Sequence, residues 1–227
     1  MYNDYGSLND YQLKGETMGT LERRQRERKR REDEIIDAAE RVFFGKGFDN
    51  STMDDVADEA ELSKGALYKY FTGKNELCTA IVSRSMRLVA EYFEKAACQS
   101  DLNGLGLLKN VCFSFLDFYR NHPKHYCALQ NYRHHKSGCG ENSGILKETM
   151  EENTRINGIL ESVIRRGIGD ASITLSHDPA KSAAMFWGDV NGIIPSCALS
   201  SQSAEGEELF VLTIDAIIKG LERGEKL

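Results

Sequence analysis

Apolar residues along this chain recur every three or four positions, and no stretch alternates long enough to read as a strand. The pattern predicts an all-α protein. Ile35, Ala39, Val42 and Phe43 form the first strong stripe and predict a helix from Glu32 to Lys46, with Gly47 placed to end it in a left-handed conformation and Phe48 following as a core anchor. Ser51 or Thr52 caps a second helix, Met53–Ala60, whose first turn carries Asp54 and Asp55 at the positive end of the helix dipole. Glu61, Leu62 and Ser63 leave only a tight turn before a third helix, Lys64–Phe71, with Leu67 and Phe71 one turn apart. A long fourth helix, Asn75–Ala97, places Leu77, Ile81, Leu88 and Tyr92 on one stripe. Further helices are predicted at Leu105–Tyr119, Pro123–His134, Ile145–Arg166, Pro179–Leu199 and Glu207–Leu221, separated by Gly, Ser, Asn and Asp clusters, with Pro123 and Pro179 in first-turn positions.

With 41% hydrophobic and 28% charged residues in 227, the chain has the make-up of a folded globular protein, long enough for a small module and an ordinary domain. Residues 1–20 mix Asn, Asp, Tyr, Gly and Ser without an apolar core; they are expected to form a disordered leader and do not read as a secretory signal. No later run approaches the roughly 18 apolar residues of a membrane span, so no membrane partner and a cytoplasmic location are expected. Lys14-Gly15-Glu16 is encodable by purine-rich codons like those of a ribosome-binding site, which makes Met18 a second candidate for the first residue of the functional protein. The six cysteines are irregularly spaced with no C-x-x-C pair, as expected of reduced thiols. His125, Cys127, His134, His135 and Cys139 offer zinc-ligand types but not the paired short spacings of structural sites, so neither a metal nor a cofactor is expected.

Charge changes the picture more than composition does. The net charge is −6, yet residues 21–31 carry Arg23, Arg24, Arg26, Arg28, Lys29, Arg30 and Arg31 against only Glu22 and Glu27. An acid-rich stretch, Glu32–Leu62, follows, and then Ser63–Lys74 holds Lys64, Lys69 and Lys74 with no acid at all. Duplex DNA bears one charge per about 1.7 Å of axis, so a surface that meets it must exclude carboxylates. A second helix held end-on in the major groove needs small or polar residues first, and Ser63-Lys64-Gly65-Ala66 supplies them. Tyr68, Lys69, Tyr70 and Lys74 follow with groups that reach phosphate, although Tyr68 is also open to a packing role and Lys69 to that of a plain solvated lysine.

The run from Ile35 to Leu77 resembles the DNA-binding domain of the TetR/AcrR family. The resemblance is carried in order by Ile36-Asp-Ala-Ala39, Phe43 or Phe44 leading into Lys46-Gly47-Phe48, Ser51-Thr52-Met-Asp-Asp-Val-Ala57, Leu62-Ser-Lys-Gly-Ala-Leu-Tyr68, Phe71 and Lys74-Asn-Glu-Leu77. It implies an N-terminal three-helix helix-turn-helix domain followed by a larger helical ligand-binding and dimerisation domain. The expected division is 21–78, with a basic N-terminal arm, and 79–227. Ser51 and Thr52 are then expected on backbone phosphate, Lys64 and Ala66 on bases, and Tyr68, Tyr70 and Lys74 on phosphate. The arm, with Arg28 and Arg30, reads either as a soluble face or as a flexible segment that neutralises phosphate and enters the minor groove. The family usually has Gly where Glu61 stands, so a positive φ there would strain this chain.

For the C-terminal part, the resemblance implies a homodimer on a roughly palindromic operator of double-stranded DNA, released by a small-molecule effector. Phe113, Phe115, Tyr119, Tyr126, Tyr132, Met185, Phe186 and Trp187 are candidate lining residues for a hydrophobic or aromatic effector, although any single one reads first as core. Gly188 and Gly192 allow a close helix approach, and Phe210, Ile214, Ile217 and Leu221 form an apolar stripe; these six are the expected dimer face. Phosphate-loop, dinucleotide, H-E-x-x-H and G-x-S-x-G motifs are all missing and the five histidines form no evident catalytic set, so an enzyme with catalytic residues is not expected. The competing reading is a helical metal- or ligand-binding adaptor without specific DNA binding.

Overall fold

The first helix, α1, spans Ser7–Lys46 and starts far upstream of the expected Glu32. In the computed structural model, which describes the backbone of residues 7–135, 144–175, 177–198 and 204–223 and the side chains of 20–130, 145–175, 177–192 and 208–221, the segment foreseen as disordered leader is helical from Ser7 onward. Residues 1–6 lie outside the described residues. The basic arm is likewise a solvent-exposed helix, not a flexible segment. Local chemistry accounts for the correction: no Gly or Pro interrupts residues 20–44, Arg, Lys, Glu and Gln are strong helix formers, and Arg–Glu pairs three and four apart bridge successive turns. These are Arg28–Glu32 (2.8 Å), Arg31–Glu34 (2.7 Å) and the longer Arg30–Glu34 (3.7 Å).

After α1 come α2 (Met53–Glu59), α3 (Lys64–Leu67), α4 (Lys74–Ala97), α5 (Gly104–Asn121), α6 (Pro123–His135), α7 (Gly144–Gly169), α8 (Pro179–Ala198) and α9 (Ala204–Arg223). No strand occurs among the described residues. The chain divides between Leu77 and Cys78, within α4, into two compact units. In the first, Ile35, Ala39, Val42 and Phe43 of α1 meet Val56 and Ala57 of α2 and Leu67 of α3, all buried, with Phe71 and Leu77 completing the core. In the second, α4 to α9 each turn an apolar stripe inward, among them Phe93, Leu108, Phe115, Phe118, Ile156, Leu160, Trp187 and Ile214.

One junction in the second unit depends on missing side chains. A Cβ added to Gly104, the first residue of α5, would lie 2.1 Å from both the Cα and the N of Gly167 in α7. Hydrogen bonds lock the same spot: the Gly104 amide donates to Asp170 Oδ2 (2.7 Å), the Leu105 amide to Ser172 Oγ (3.0 Å), and Arg166 to the Leu102 carbonyl (2.7 Å). Asn103 caps α5 by accepting from the Gly106 amide (2.9 Å). Backbone meets backbone here, so no rotamer change can make room. Gly104→Ala is therefore expected to destabilise the second unit by about 2–3 kcal/mol or more. Gly158→Ala, where nothing lies within 4 Å, should stabilise it by up to about 1 kcal/mol. Denaturant titration followed through the single Trp187 reads both.

Candidate nucleic-acid interface

The interface is built on two capped helix starts. Thr52 caps α2 through a reciprocal box, its hydroxyl accepting from the Asp55 amide (3.1 Å) while its own amide donates to Asp55 Oδ2 (2.8 Å). Ser63 caps α3 by accepting from the Ala66 amide (3.2 Å). Between them Glu61 adopts φ +53°, the left-handed conformation its position demands, and the Leu62 amide closes the turn on the Ala57 carbonyl (2.8 Å). A glutamate in that region costs about 1 kcal/mol relative to glycine, so this turn stores mild strain. Gly47, at φ +82°, ends α1 as expected, its amide donating to the Phe43 carbonyl (3.0 Å).

α3 itself is a single turn; Tyr68, Lys69 and Tyr70 continue it as tight turns and not as regular helix. Its outer surface is Lys64, Gly65, Tyr68 and Lys69, all exposed, with Ala66 half-buried and Leu67 pointing into the core. Nothing lies within 4 Å of a Cβ built on Gly65, so another surface can approach the backbone there. Tyr70 joins this face to the basic stretch, since the Arg28 guanidinium lies 5.7 Å from the centre of its ring. Lys64, Tyr68, Lys69 and Arg28 are exposed and Tyr70 is half-buried, with Arg30 on the same exposed stretch of α1.

Three expected phosphate ligands are engaged inside the protein instead. Ser51 is buried and its hydroxyl donates to the Gly47 carbonyl (2.6 Å). The Thr52 hydroxyl is held in the capping box. The Lys74 ammonium, placed on phosphate by the sequence, donates to the carbonyls of Phe48 (2.7 Å) and Ser51 (2.9 Å) and sits 4.4 Å from the centre of the Phe48 ring. The loop between α1 and α2 exposes carbonyls that α2 cannot use, and Lys74 satisfies them. A lysine 23 positions from Ser51 shows no local pattern for this role.

The sequence also missed how the acids of α2 are covered. Glu59 pairs with Arg41 (2.5 Å), Asp55 with Lys46 (2.5 Å) and Asp54 with Lys64 (2.8 Å). None has the helical spacing that would reveal it in advance.

Residues 35–81 match the family model described as bacterial regulatory proteins, tetR family. The regulator SrpR of Pseudomonas putida is 25% identical over 162 residues, spanning 70% of this chain and 71% of SrpR. The crystal structure of FadR from Bacillus subtilis in complex with stearoyl-CoA, 19% identical, superposes with a TM-score of 0.63 over 85% of this chain and 98% of FadR. PfmR from Thermus thermophilus, a TetR family regulator, is 24% identical with a TM-score of 0.62 over 83% of this chain and 99% of its own. The chain belongs to the TetR family. It is a DNA-binding transcriptional regulator with an all-helical fold.

In this TetR family member the aromatic residues of the second unit interlock. Phe115 stacks on Phe118 (5.8 Å, 13°) and meets Trp187 (5.4 Å) and Tyr126 (6.2 Å) edge-on; Phe93 also meets Trp187 (5.8 Å) and Tyr119 meets Tyr126 (5.0 Å). The Trp187 indole donates to Asn153 Oδ1 (3.2 Å). Phe186 is buried, while Phe113 is half-buried beside the Lys109 ammonium. Met185 is corrected: it is 66% exposed, out of phase with the inward stripe of Ala183, Phe186, Trp187 and Val190. The side chain of Tyr132 lies outside the described residues.

His125 packs on α4, its Nδ1 3.0 Å from Ser85 Oγ, and burial, with His122 and Arg84, lowers its pKa to about 4. Ser85 already donates to the Ile81 carbonyl (2.8 Å), so His125 Nδ1 is the donor of that pair. The side chains of His134 and His135, and all of Cys139, lie outside the described residues, among which no three His, Cys, Asp or Glu gather to hold a metal.

The expected dimer stripe of α9 is corrected as well. Phe210 and Ile214 are buried within their own protomer, and Ile217 and Leu221 pack partly against the same core. Leu209 and Leu212 of α9 are exposed instead, as is Gly188 of α8; around both Gly188 and the half-buried Gly192 nothing lies within 4 Å of an added Cβ.

The Asp55 carboxyl is held down from 3.8 to about 2, first by the Lys46 ammonium and then by Thr52. A depressed carboxyl stabilises the fold above its ordinary value and loses that contribution as pH falls through about 2. The protection factors of the α2 amides, corrected for the intrinsic exchange rate at each pH, should therefore fall as the pH drops below about 4, and Asp55→Asn should flatten that acid dependence while lowering protection at neutral pH.

Proposed function

We propose that this regulator is a homodimeric repressor that leaves a palindromic operator when its second unit binds a small apolar effector. The observation that carries the DNA half is the exposed, cationic first turn of α3, free of acids in its own segment and joined through Tyr70 to the basic stretch of α1. Lys64, Gly65 and Ala66 read base edges, while Tyr68, Lys69 and Tyr70 hold phosphate. Being helical, the basic stretch does not thread the minor groove; Arg28 and Arg30 neutralise flanking phosphates from a rigid rod. Ser63 contributes as the cap that aims α3.

Dimerisation uses the faces left open: Met185, Gly188 and Gly192 on α8, and Leu209 and Leu212 on α9. Two α3 helices related by a two-fold axis then meet half-sites about one helical turn, roughly 34 Å, apart. The effector is apolar because the interior it enters is built of Phe115, Phe118, Tyr126, Phe186 and Trp187, and the fold neighbour FadR binds stearoyl-CoA in its crystal structure. Entry has to part rings that touch, so it alters α5 and α8 together and is transmitted as a shift in population between DNA-bound and free states. The protein acts in the cytoplasm by affinity, without turnover; no described helix is long and apolar enough to cross a membrane.

Operator selection with the purified protein, repeated with apolar candidate effectors at two salt concentrations, tests this reading; failure to enrich any sequence would sink it. In the same assay Lys64→Glu should abolish operator preference in a folded protein. Arg30→Gln should instead lower the slope of log K against log salt by about 0.9 and leave the preferred sequence unchanged. Leu212→Asp, which replaces a side chain 59% exposed in the protomer, should shift sedimentation from dimer to monomer at micromolar concentration without unfolding the chain.

A further inference from the structure

Asp54 and Lys64 lie ten residues apart on the first turns of α2 and α3. The Lys64 ammonium is 2.8 Å from Asp54 Oδ1 and 3.0 Å from Oδ2, so one carboxylate straddles it, and both side chains are about 60% exposed. Asp55 is engaged with Lys46 and Glu59 with Arg41. Among the described ion pairs of α2, that of Asp54 is the one that reaches the outer surface of α3. The capping box is complete without it, because Thr52 and Asp55 supply both of its bonds. Helix-dipole stabilisation would favour an acid at this position but would not require it to reach Lys64. The carboxylate also raises the pKa of the Lys64 ammonium, through their hydrogen bond first.

We infer that Asp54 sets the affinity of the operator contact: it holds Lys64 in the free protein and must release it when Lys64 turns to DNA. This rests on the reading of Lys64 as a base-contacting residue. The exchange has different outcomes on different DNA. On a phosphate, one exposed ion pair replaces another, and a bare carboxylate is left beside the polyanion, so little is gained. On a matched guanine the ammonium reaches O6 and N7, a contact strong enough to exceed the lost pair. Asp54 therefore costs operator binding the whole ion pair, and costs non-specific binding at most as much, because there Lys64 can stay on Asp54.

A double-mutant cycle tests this with full-length protein, using the selected operator and a mixed-sequence duplex, at low salt and by fluorescence anisotropy. Asp54→Asn should tighten binding to the operator, and by at least as large a factor as to the mixed duplex. Lys64→Gln should cost about 1.5- to 5-fold more affinity in the Asp54→Asn background than in the wild type, the factor expected for one exposed ion pair, and the excess should shrink as salt rises. Asp54→Ser, which keeps a residue suited to a helix start, should reproduce the Asp54→Asn result and excludes an effect of helix loss. Equal factors for Lys64→Gln in both backgrounds, or no tightening on the operator with Asp54→Asn, would overturn the role of Asp54 while leaving Lys64 as a DNA ligand. No effect of Lys64→Gln in either background would instead overturn the reading of Lys64, and the inference with it.

Discussion

A chain with a net charge of −6 that binds a polyanion has to keep its carboxylates away from the contact surface, and most of the first unit follows from this electrostatic constraint. The acids are not absent; they are concentrated in α1 and α2, directly before the acid-free segment from Ser63 to Lys74. What makes the arrangement workable is that three acids of α2 reach across to cations on other elements: Glu59 and Asp55 to α1, Asp54 to α3. These pairs are largely exposed and each contributes little to stability. Their effect is on the field, since paired acids repel phosphate less than bare ones.

The local geometry of the helix-turn-helix has two supports. Gly47 turns the chain out of α1, and Lys74 reaches back from α4 to gather the carbonyls of the loop that Gly47 starts. A charged donor to several carbonyls is worth more than a neutral one, which is why a lysine suits this place in the fold. Glu61 is the opposite case, a residue kept in a left-handed turn that glycine would fill without strain. The turn tolerates it because the flanking Val56, Ala57 and Leu67 are anchored in the core.

In the second unit, rigidity and adaptability occupy different places. The start of α5 is locked against the end of α7 by backbone contact through Gly104 and Gly167, with Asp170 and Ser172 satisfying the exposed amides. Arg155 of α7 clamps α4 through both oxygens of Glu94 (2.8 and 2.7 Å) and extends the link through Glu152 to Arg87. Between these fixed points sits the aromatic cluster of Phe93, Phe115, Phe118, Tyr126 and Trp187, held by ring contacts that are individually weak. Such a cluster can repack where the backbone junction cannot.

The helical class, eight of the nine described helices to within a few residues at most ends, and the ordered motif from Ile35 to Leu77 were legible in the sequence. They rest on periodicity, capping residues and near-neighbour spacing, which act over a few positions and leave a direct trace in the chain. The reach of α1 upstream to about Leu21 was legible too, in an unbroken run of helix formers, but the charge run drew the reading towards a flexible arm. What no sequence pattern carried was direction and pairing. Whether the α9 stripe of Phe210 and Ile214 faces its own core or a partner, whether Lys74 points at phosphate or at the Phe48 carbonyl, and whether Lys64 meets Asp54 all depend on side chains brought together by the packing of separate helices. An apolar stripe states that a face must be buried, and a lysine states that a charge must be satisfied; only the tertiary structure chooses the partner, because the competing partners are chemically alike and differ only in where the fold places them.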